Sequence, residues 1–241
     1  MGAGFIDIHC HILPGLDDGS PDMKQTIEML RIAREDGIEA IVASPHVDGA
    51  YGKKNSREGI SQKIAYVKSK ANGVALYPGA DVHISRDILE NARKGALPLI
   101  NDRNYLLFEL PSFVLPPLSE VGRIISGLRL MGMVPIITHP ERNLPILENV
   151  SILQRLLDLG ARCQVTAGSI TGKFGTRSQK ACWKMIKKGH VHAVASDAHD
   201  IKGRPPVLSE AHAVVAKKFG PTMAERLFIQ NPRRIVNGEP I

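Results

Sequence analysis

The amino-acid sequence predicts an α/β fold built around parallel strands, in a sheet that is either open or closed into a barrel. Two observations lead to this prediction. Seven short runs are apolar on both faces, which is typical of strands buried in a parallel sheet, and stretches with helical spacing separate them. The 241 residues suit a closed α/β barrel. We therefore expect one domain that spans residues 1–241.

The strand-like runs recur along the whole chain. They are residues 5–8, 40–43, 74–77, 105–108, 134–137, 163–165 and 193–195. The carboxyl ends of parallel strands meet at the same edge of a sheet or the same rim of a barrel. A closed barrel of such strands would carry its functional site at that rim.

The helices between the strands have recognisable starts and ends. In the first helix, Ser20 is a capping residue, Pro21 suits the first helical position, and Asp22 favours the positive end of the helix dipole. Gly37 and Gly160 each follow a helical stretch and precede a strand, as expected of glycines that end helices. Apolar spacing predicts further helices around residues 121–128 and 152–157, and two closing helices at 207–219 and 221–229.

Two regions of the chain allow alternative interpretations. Residues 47–60 are rich in Gly, Lys and Asn and are the most loop-like insertion, so we expect a surface loop rather than a mobile flap. In the closing helices, Leu227 and Phe228 would belong either to the core or to an interface between copies. A homo-oligomer therefore stays open at this point.

Composition and charge exclude several classes of protein. The net charge of +7 comes from scattered Lys and Arg residues without a basic tail, which does not favour nucleic-acid binding. Only three cysteines are present, Cys10, Cys163 and Cys182, and their spacing fits neither a disulfide framework nor a zinc finger. No apolar stretch approaches the roughly 20 residues of a membrane span, and no signal peptide is apparent. We expect a cytoplasmic protein that is not an integral membrane protein.

Histidine and carboxylate residues follow almost every strand run. They are His9 and His11 after the first run, His46 after the second, Asp81 after the third, Glu109 after the fourth, His139 after the fifth, and Asp197 and His199 after the seventh. Each has an ordinary explanation when taken alone, such as a hydrogen-bonded loop histidine or a helix cap. Together they would bring several carboxylates to one rim, where repulsion and lost hydration would cost on the order of several kcal/mol. Divalent cations remove that penalty.

The residue types indicate which metals the site would accept. A mixture of imidazole and carboxylate suits Mn, Fe or Zn, whereas a thiolate site would need clustered cysteines. In an extended strand, His9-x-His11 places both imidazoles on the same side, and Asp197-x-His199 repeats this spacing. A lone His-x-His is a weak motif, but this pair and Asp197-x-His199 lie at opposite ends of the chain, and with Glu109 and His139 between them they form a strong one.

Two arginines lie near the presumed ligands, and guanidinium groups bind phosphate oxygens with two hydrogen bonds. Arg142 comes three residues after His139, and Arg204 comes five residues after His199. From spacing alone, surface salt bridges with Glu141 or Asp200 are an equal alternative.

Two other phosphate chemistries do not fit the sequence. A cysteine-based phosphatase needs an Arg six positions after its Cys, but Leu16, Ser169 and Lys188 stand at those positions. No Gly-x-x-x-x-Gly-Lys-Ser/Thr loop for nucleotide phosphates is present.

At this point the residues resemble the PHP (polymerase and histidinol phosphatase) superfamily, whose first motif is similar to IDIHCH at residues 6–11. Further motifs resemble the CpsB/CapC-type protein-tyrosine phosphatases of bacterial capsule and exopolysaccharide systems. These motifs are LPGLDDG at 13–19, SPH at 44–46, YLLFE at 105–109, THPERN at 138–143, QVTAGSI at 164–170 with Gly172 and FG at 174–175, and ASDAH at 195–199. The resemblance extends from about residue 5 to about residue 215.

The resemblance implies a distorted TIM-like (β/α)7 barrel with a cluster of two or three divalent ions, most commonly Mn²⁺, with Fe or Zn as alternatives. The implied metal ligands are His9, His11, Asp18, His46, Asp81, Glu109, His139, Asp197 and His199. Asp18 rather than Asp17 matches the ligand position. Arg142 and Arg204 match the arginines that contact phosphate.

One position departs from the family pattern. The third strand usually carries Glu where this chain has Asp81, whose side chain is one methylene shorter. A shorter carboxylate must approach two ions more closely or bind only one. The number of ions therefore depends on how Asp81 is placed.

The implied reaction is hydrolysis of phosphotyrosine by a hydroxide that the metal ions generate. Arg142 and Arg204 would bind the phosphate, and His46 or Asp197 could protonate the leaving phenolate if that is needed. The implied substrate is a phosphotyrosine protein, namely the tyrosine-rich tail of a bacterial tyrosine kinase that regulates capsule or exopolysaccharide synthesis.

Three alternatives share these features. A small-molecule phosphatase of the histidinol-phosphate type would use the same ligands, but residues 164–175 favour the tyrosine phosphatase. A PHP-type phosphodiesterase or nuclease would need an aromatic surface for stacking bases, and aromatic residues are only 5% of this chain. A non-catalytic, metal-stabilised regulatory protein is favoured only by the change at Asp81.

Overall fold

Parallel strands and helices alternate along the chain in the computed structural model, which describes residues 4–51 and 55–241. The strands are β1 (Phe5–Cys10), β2 (Ile38–Ala43), β3 (His46–Val47), β4 (Ala75–Pro78), β5 (Asp81–His83), β6 (Tyr105–Glu109), β7 (Val134–Thr138), β8 (Arg162–Thr166) and β9 (Ala193–Ala195). Every strand pair is parallel. Each of the seven predicted runs coincides with one of these strands.

The helices occupy the connections between the strands. They are α1 (Met23–Glu35), α2 (Arg57–Lys68), α3 (Ile88–Arg93), α4 (Leu118–Leu130), α5 (Leu144–Glu148), α6 (Ser151–Asp158), α7 (Ala167–Thr171), α8 (Gly175–Lys187), α9 (Ser209–Phe219), α10 (Pro221–Glu225) and α11 (Asn231–Asn237). Short 3₁₀ turns lie at Ile100–Asp102 and Pro140–Arg142, and a π turn at Arg226–Gln230 joins α10 to α11. Within residues 4–51 and 55–241, none of these helices has the length and apolar character to cross a membrane.

The strands follow one another around a ring, although the backbone pairing is divided into two sheets. One sheet has the order β1-β2-β4, and the other has the order β3-β5-β6-β7-β8-β9. Ala43 of β2 pairs with Pro78 of β4, and three residues further along each strand His46 of β3 pairs with Asp81 of β5. Because the register is unchanged, β3 continues β2 and β5 continues β4 across short interruptions. At the far edge, a parallel bridge between Cys10 and Ala198 links β1 to the segment after β9. The result is a distorted, seven-stranded α/β barrel.

Alternate residues of the strands form the barrel interior. A cluster of buried side chains contains Ile6, Ile8, Ala40, Val42, Tyr105, Leu107, Val134, Ile136, Ala193 and Ala195, which recur with a period of two along five strands. Ile100, together with Ile235 and Val236 of α11, completes this cluster. The larger second cluster contains the alternate strand residues that point away from the barrel interior, such as Ile41 and Leu106, and these pack against the helices.

The same period of two carries polar residues to the carboxyl end of the interior. Leu107 precedes Glu109 on one face of β6, and Ala195 precedes Asp197 by the same step. In β1 the pairing register shifts between Asp7 and Cys10. Such a bulge re-aims the side chains that follow it, here those at the end of β1. The candidate site is therefore the last layer of the barrel interior.

Several local predictions need correction. The first helix is capped by Asp22, whose side chain accepts a hydrogen bond from Gln25 N, while Ser20 Oγ instead donates to Asp22 O. The closing region also contains a helix that was not predicted, α11, which has Pro232 in its first turn. The predicted endings at Gly37 and Gly160 are confirmed, since both have positive φ angles, 88° and 93°.

The predicted loop at 47–60 is shorter than expected. Val47 belongs to β3, and α2 already begins at Arg57 behind a Ser56 cap. The central part, residues 52–54, lies outside the described residues. In the closing region, Leu227 and Phe228 are fully buried within the chain, so they are core rather than interface.

Candidate metal centre

The nine residues predicted as metal ligands meet at the carboxyl end of the barrel. His9 lies on β1, His46 on β3, Asp81 on β5 and Glu109 at the end of β6, while His11, Asp18, His139, Asp197 and His199 lie in the loops that follow strands. Six of them are buried, His46 and Glu109 are partly exposed, and Asp18 is exposed. Among the described residues, the cluster thus meets solvent at His46, Asp18 and Glu109.

Three groups of these side chains are compact enough to hold a metal ion, because each offers ligand atoms within 4.8 Å of one another. The groups are His11, Asp18, His46 and His199; His9, His11 and Asp197; and His46, Asp81 and Glu109. His11 and His46 each belong to two groups, so the groups adjoin. His139 belongs to none of them, but its Nε2 atom lies 3.8 Å from Asp81 Oδ2 and 3.7 Å from Glu109 Oε1.

The imidazole rings of His9 and His11 face each other through their Nε2 atoms. The Nε2 atoms of His9 and His11 are 3.0 Å apart. The Nδ1 atom of His9 donates to Gln164 Oε1 at 3.0 Å, and that of His11 donates to Asp17 Oδ2 at 2.6 Å. In their neutral forms both rings would therefore direct lone pairs at each other. A shared cation removes this conflict, and the second ring nitrogen is fixed as it usually is in metal-binding histidines.

Asp81 reaches the cluster despite its short side chain. It is fully buried, and its Oδ1 accepts a hydrogen bond from Thr138 Oγ1 at 3.2 Å. Its Oδ2 has no hydrogen-bond partner among the described residues, yet it lies 3.5 Å from His9 Nε2, 3.7 Å from His46 Nδ1 and 3.8 Å from His139 Nε2. A buried carboxylate oxygen left without a donor and surrounded by imidazoles fits a metal ligand. These donors therefore suit divalent cations.

Burial and neighbouring charges move the pKa values of the cluster apart. Burial lowers the pKa of His9 to about 4. Burial and the adjacent Asp81 raise the pKa of Glu109 to about 7. Burial opposes protonation of His11 too, but hydrogen bonds from its ring, first to Asp17, raise its pKa to about 10. Protons and metal ions therefore compete for the same atoms.

The two predicted phosphate-binding arginines converge on one carboxylate oxygen. Arg142 Nη1 and Arg204 Nη2 donate to Asp197 Oδ2 at 2.6 and 2.5 Å. Both guanidinium groups lie over the ring of Phe174, at 4.8 and 5.7 Å from its centroid. They do not form the surface salt bridges with Glu141 or Asp200 that spacing alone allowed. Two positive charges thus stand beside the metal cluster.

Two of the candidate ligands have unusual backbone conformations. His139 has a φ angle of 34° and Asp197 one of 53°, in the left-handed region that residues with a side chain rarely adopt. Asp197 N donates to His9 O, and Arg142 N donates to His139 O, which hold the two turns. Strain of this kind typically persists at functional sites, where the surrounding structure enforces it.

The structure adds supporting residues that sequence reasoning did not assign. Asp17 orients His11 and also accepts a hydrogen bond from His46 N at 2.9 Å, and Gln164 orients His9. Gln164 is a fully buried polar residue between the buried apolar residues Cys163 and Val165 of β8, and that position was a usable signal in the sequence. Nothing in the spacing separates the role of Asp17 from that of its neighbour Asp18.

Comparisons with known proteins agree with this geometry. A family model described as capsular polysaccharide synthesis, CpsB/CapC, matches residues 5–237. The chain is 38% identical over 219 residues to the tyrosine-protein phosphatase YwqE of Bacillus subtilis (strain 168), which covers 90% of this chain and 85% of the relative. It is 29% identical over 245 residues to the tyrosine-protein phosphatase CpsB of Streptococcus pneumoniae, covering 96% of this chain and 98% of the relative.

Solved structures extend the similarity to three dimensions. A structure from the crystallographic work on YwqE from Bacillus subtilis and CpsB from Streptococcus pneumoniae, described there as unique metal-dependent tyrosine phosphatases, superposes with a TM-score of 0.91 at 35% identity. The match covers 98% of this chain and 96% of that one. The dihydropyrimidinase of Brevibacillus agri NCHU1002, at 14% identity and a TM-score of 0.59 over 99% of this chain and 71% of that one, shares the fold alone.

Proposed function

This chain belongs to the CpsB/CapC family of capsular polysaccharide synthesis proteins, and from that premise we propose that it is a metal-dependent protein-tyrosine phosphatase. The observation that carries the proposal is the convergence of nine imidazole and carboxylate side chains, with His9 and His11 presenting facing Nε2 atoms. Two arginines beside that cluster supply the positive charge that a phosphate monoester needs. The names of the relatives support the same activity.

The proposed cofactor is a cluster of two or three divalent ions, with Mn²⁺ as the first choice and Fe or Zn as alternatives. The ligands would be the nine residues of the cluster. Asp81 belongs to only one of the compact groups, with His46 and Glu109, which supports its binding a single ion. When bound, the ions supply Lewis acidity and make water acidic enough to provide a nucleophile near neutral pH.

The protein's own residues bind and orient the phosphate. Arg142 and Arg204 would donate to its peripheral oxygens and stabilise the charge that develops there during in-line attack. Both guanidinium groups are held next to Asp197, so their positions are set before substrate arrives. Asp197 does not fit the predicted role of protonating the leaving group, because burial is outweighed by the charges of His9, Arg142 and Arg204, which hold its pKa well below its usual value. His46 stays a candidate for that role, although a phenolate departs readily without help.

A cysteine nucleophile does not compete with this mechanism. Cys10, Cys163 and Cys182 are all buried, and burial raises the pKa of each thiol well above its usual value. The reactive form of cysteine is the thiolate, which these surroundings disfavour. Phosphotyrosine hydrolysis would therefore proceed without a covalent phosphoenzyme on sulfur.

We further propose that the substrate is a tyrosine-rich tail of a bacterial tyrosine kinase that controls capsule or exopolysaccharide synthesis, which would place the reaction in the cytoplasm. The family description and the names of the relatives support the capsule connection. The site opens on one side of the barrel, where a flexible tail would reach it more easily than a folded surface. A net charge of +7 also favours an anionic phosphorylated tail.

The proposal is tested by hydrolysis of a phosphotyrosine peptide with Mn²⁺, after chelation with EDTA, and in a His139→Ala variant. We expect activity that Mn²⁺ restores after chelation and a loss of at least about a hundredfold in the variant. Histidinol phosphate and single-stranded DNA serve as comparison substrates. Activity that persists without metal, or faster hydrolysis of either comparison substrate, would contradict the proposal.

A further inference from the structure

A groove of about 500 Å³ opens beside the metal cluster and shares His46 and Glu109 with it. Its walls come from two loops, residues 48–51 after β3 and residues 111–114 after β6. The arginines that would bind phosphate do not line it. The groove therefore offers contacts to a part of the substrate other than the phosphate.

The walls of this groove carry large apolar side chains that are exposed to solvent. Tyr51 is 62% exposed, Phe113 is 79% exposed and Val114 is 75% exposed. Seven large apolar side chains are exposed among the described residues, and these three lie together at the mouth of the site. An apolar patch beside a polar, charged centre is typical of a binding surface rather than of ordinary solvent-facing structure.

One wall of the groove is fixed by tight backbone packing. Asp48 and Gly49 both have positive φ angles, 62° and 68°. A Cβ atom at Gly49 would lie 3.3 Å from the ring of His83, so the loop backbone already rests on that ring. His83 Nδ1 in turn donates to Ile84 O at 3.0 Å, and the Tyr51 ring lies 5.9 Å from the His46 ring. These contacts shape the groove before substrate binds.

We propose that the groove binds the peptide residues next to the phosphotyrosine and selects apolar side chains there; this inference rests on the proposed phosphatase function. The phenyl ring of phosphotyrosine is joined directly to the ester oxygen. A phosphate at the cluster therefore brings the ring to the edge formed by His46 and Glu109, where the groove begins. The groove is larger than one ring, so its outer part, with Phe113 and Val114, meets the flanking residues.

The chemistry of the outer wall specifies the kind of peptide. An apolar side chain placed against Phe113 and Val114 leaves water and covers surface that is otherwise exposed. A polar side chain of the same size would lose hydration there without gaining a partner. Selection then acts on the residue beside phosphotyrosine, while the metal cluster acts on the phosphate.

The experiment compares two phosphotyrosine peptides that differ only in the residues flanking the phosphotyrosine, Leu in one and the near-isosteric Asn in the other. The values of kcat/KM are measured in the Mn²⁺-loaded wild type, in Phe113→Ala, in Val114→Ser and in Leu130→Ala. Leu130 is 89% exposed at the end of α4, outside the groove, and makes a matched control. Phenyl phosphate, which has no flanking residues, reports on the metal site and the inner edge of the groove without the outer wall.

We expect the wild type to prefer the Leu peptide by about tenfold, mainly through KM. Phe113→Ala and Val114→Ser should each reduce the preference to about twofold, while phenyl phosphate hydrolysis stays within about twofold of wild type. Leu130→Ala should keep the full preference. The inference would be overturned if the wild type showed no preference between the peptides or if the preference survived both groove substitutions. It would also be overturned if the substitutions lowered kcat/KM for phenyl phosphate as much as for the Leu peptide. Failure of the wild type on every aryl phosphate would instead overturn the proposed function.

Discussion

Asp17 and Asp18 are adjacent in the sequence but make different contacts at the cluster. Asp17 accepts hydrogen bonds from His11 Nδ1 and from His46 N, so it orients a ligand without facing the other ligand atoms. Asp18 Oδ1 lies 3.5 Å from His46 Nε2 and 3.5 Å from His199 Nε2. Two neighbouring substitutions can therefore separate the orientation of a proposed ligand, His11, from the proposed direct binding of metal by Asp18.

We expect Asp17→Asn to weaken Mn²⁺ binding about 10- to 100-fold, because His11 loses the charged acceptor that orients its ring. Saturating Mn²⁺ should restore most of the activity, since every ligand remains. Asp18→Asn removes a carboxylate from the cluster, so its activity should stay low even at saturation. The measurement is a Mn²⁺ titration of phosphotyrosine peptide hydrolysis in both variants. Identical titration curves for the two variants would contradict the different roles proposed for Asp17 and Asp18.

At the residue scale, the sequence predicted that the candidate ligands lie together, because strand ends converge in a parallel barrel, and the structure brings them together. His9, Glu109 and Asp197 needed only their position after an apolar run. The supporting contacts were not predictable in the same way. Gln164 and His9 are 155 positions apart, and their hydrogen bond depends on how β8 and β1 face each other across the barrel. The choice between Asp17 and Asp18 came from family resemblance, not from spacing.

Among the secondary-structure elements, the strands were predicted better than their interruptions. The short strands β3 and β5 were missed because Ser44-Pro45 and Gly79-Ala80 precede them and contain residues that usually end a strand. The register nevertheless continues through both interruptions, and Asp81 N donates to Pro45 O. The helix α11 was missed because Pro232 marks a helix start as readily as a break.

Phe174 connects two separate elements of the site, the turn after β7 that carries Arg142 and the loop after β9 that carries Arg204. A cation over an aromatic ring is stabilised by about 0.5–1 kcal/mol at a partly exposed site. We expect Phe174→Leu to raise KM for an aryl phosphate about five- to tenfold and to weaken inhibition by inorganic phosphate in parallel, with a smaller effect on kcat.

A conservative variant, Phe174→Tyr, distinguishes this positioning role from a general loss of packing. Phe174→Tyr keeps the aromatic face and should retain nearly all of the phosphate affinity. Thermal unfolding of both variants checks that the fold is intact. Unchanged phosphate inhibition in Phe174→Leu would show that the ring does not position the arginines.

At the scale of the whole molecule, the cluster connects the ends of strands from around the barrel. Without cations the buried carboxylates and imidazoles face one another, so metal binding should stabilise the fold as well as support catalysis. At a free Mn²⁺ concentration about 100 times the Kd, the binding of each ion contributes about 2.7 kcal/mol. For a chain of this size, that corresponds to a rise in Tm of about 5–10 °C.

Differential scanning calorimetry with Mn²⁺ and with EDTA measures this shift. The control is Leu130→Ala, which lies outside the cluster and should show the full metal-dependent rise. His139→Ala, which lacks one imidazole of the cluster, should show a smaller rise. Equal Tm values with and without metal in the wild type would contradict a structural contribution of the ions.

His192 provides a pH dependence of stability that is separate from the cluster. Burial, followed by the positive charges of Arg162 and Arg226, lowers its pKa to about 4, and its Nδ1 accepts a hydrogen bond from Cys163 N at 3.2 Å. In the unfolded chain a histidine has a pKa near 6.5. Between about pH 6.5 and pH 4 the unfolded state therefore binds more protons than the folded state. The stabilising contribution is complete above pH 6.5 and is lost as the pH falls through this window.

The test is urea unfolding at pH 7.5 and pH 5 in EDTA, so that metal binding does not contribute to the difference. We expect wild type to lose on the order of 1–2 kcal/mol more than His192→Asn over this interval, because Asn keeps an acceptor near the Nδ1 position but does not titrate. The cluster histidines are present in both proteins, so their titration cancels in the comparison. Equal losses in the two proteins would mean that His192 is not held neutral by its surroundings, and the acid sensitivity of the fold would then lie in the metal-free cluster.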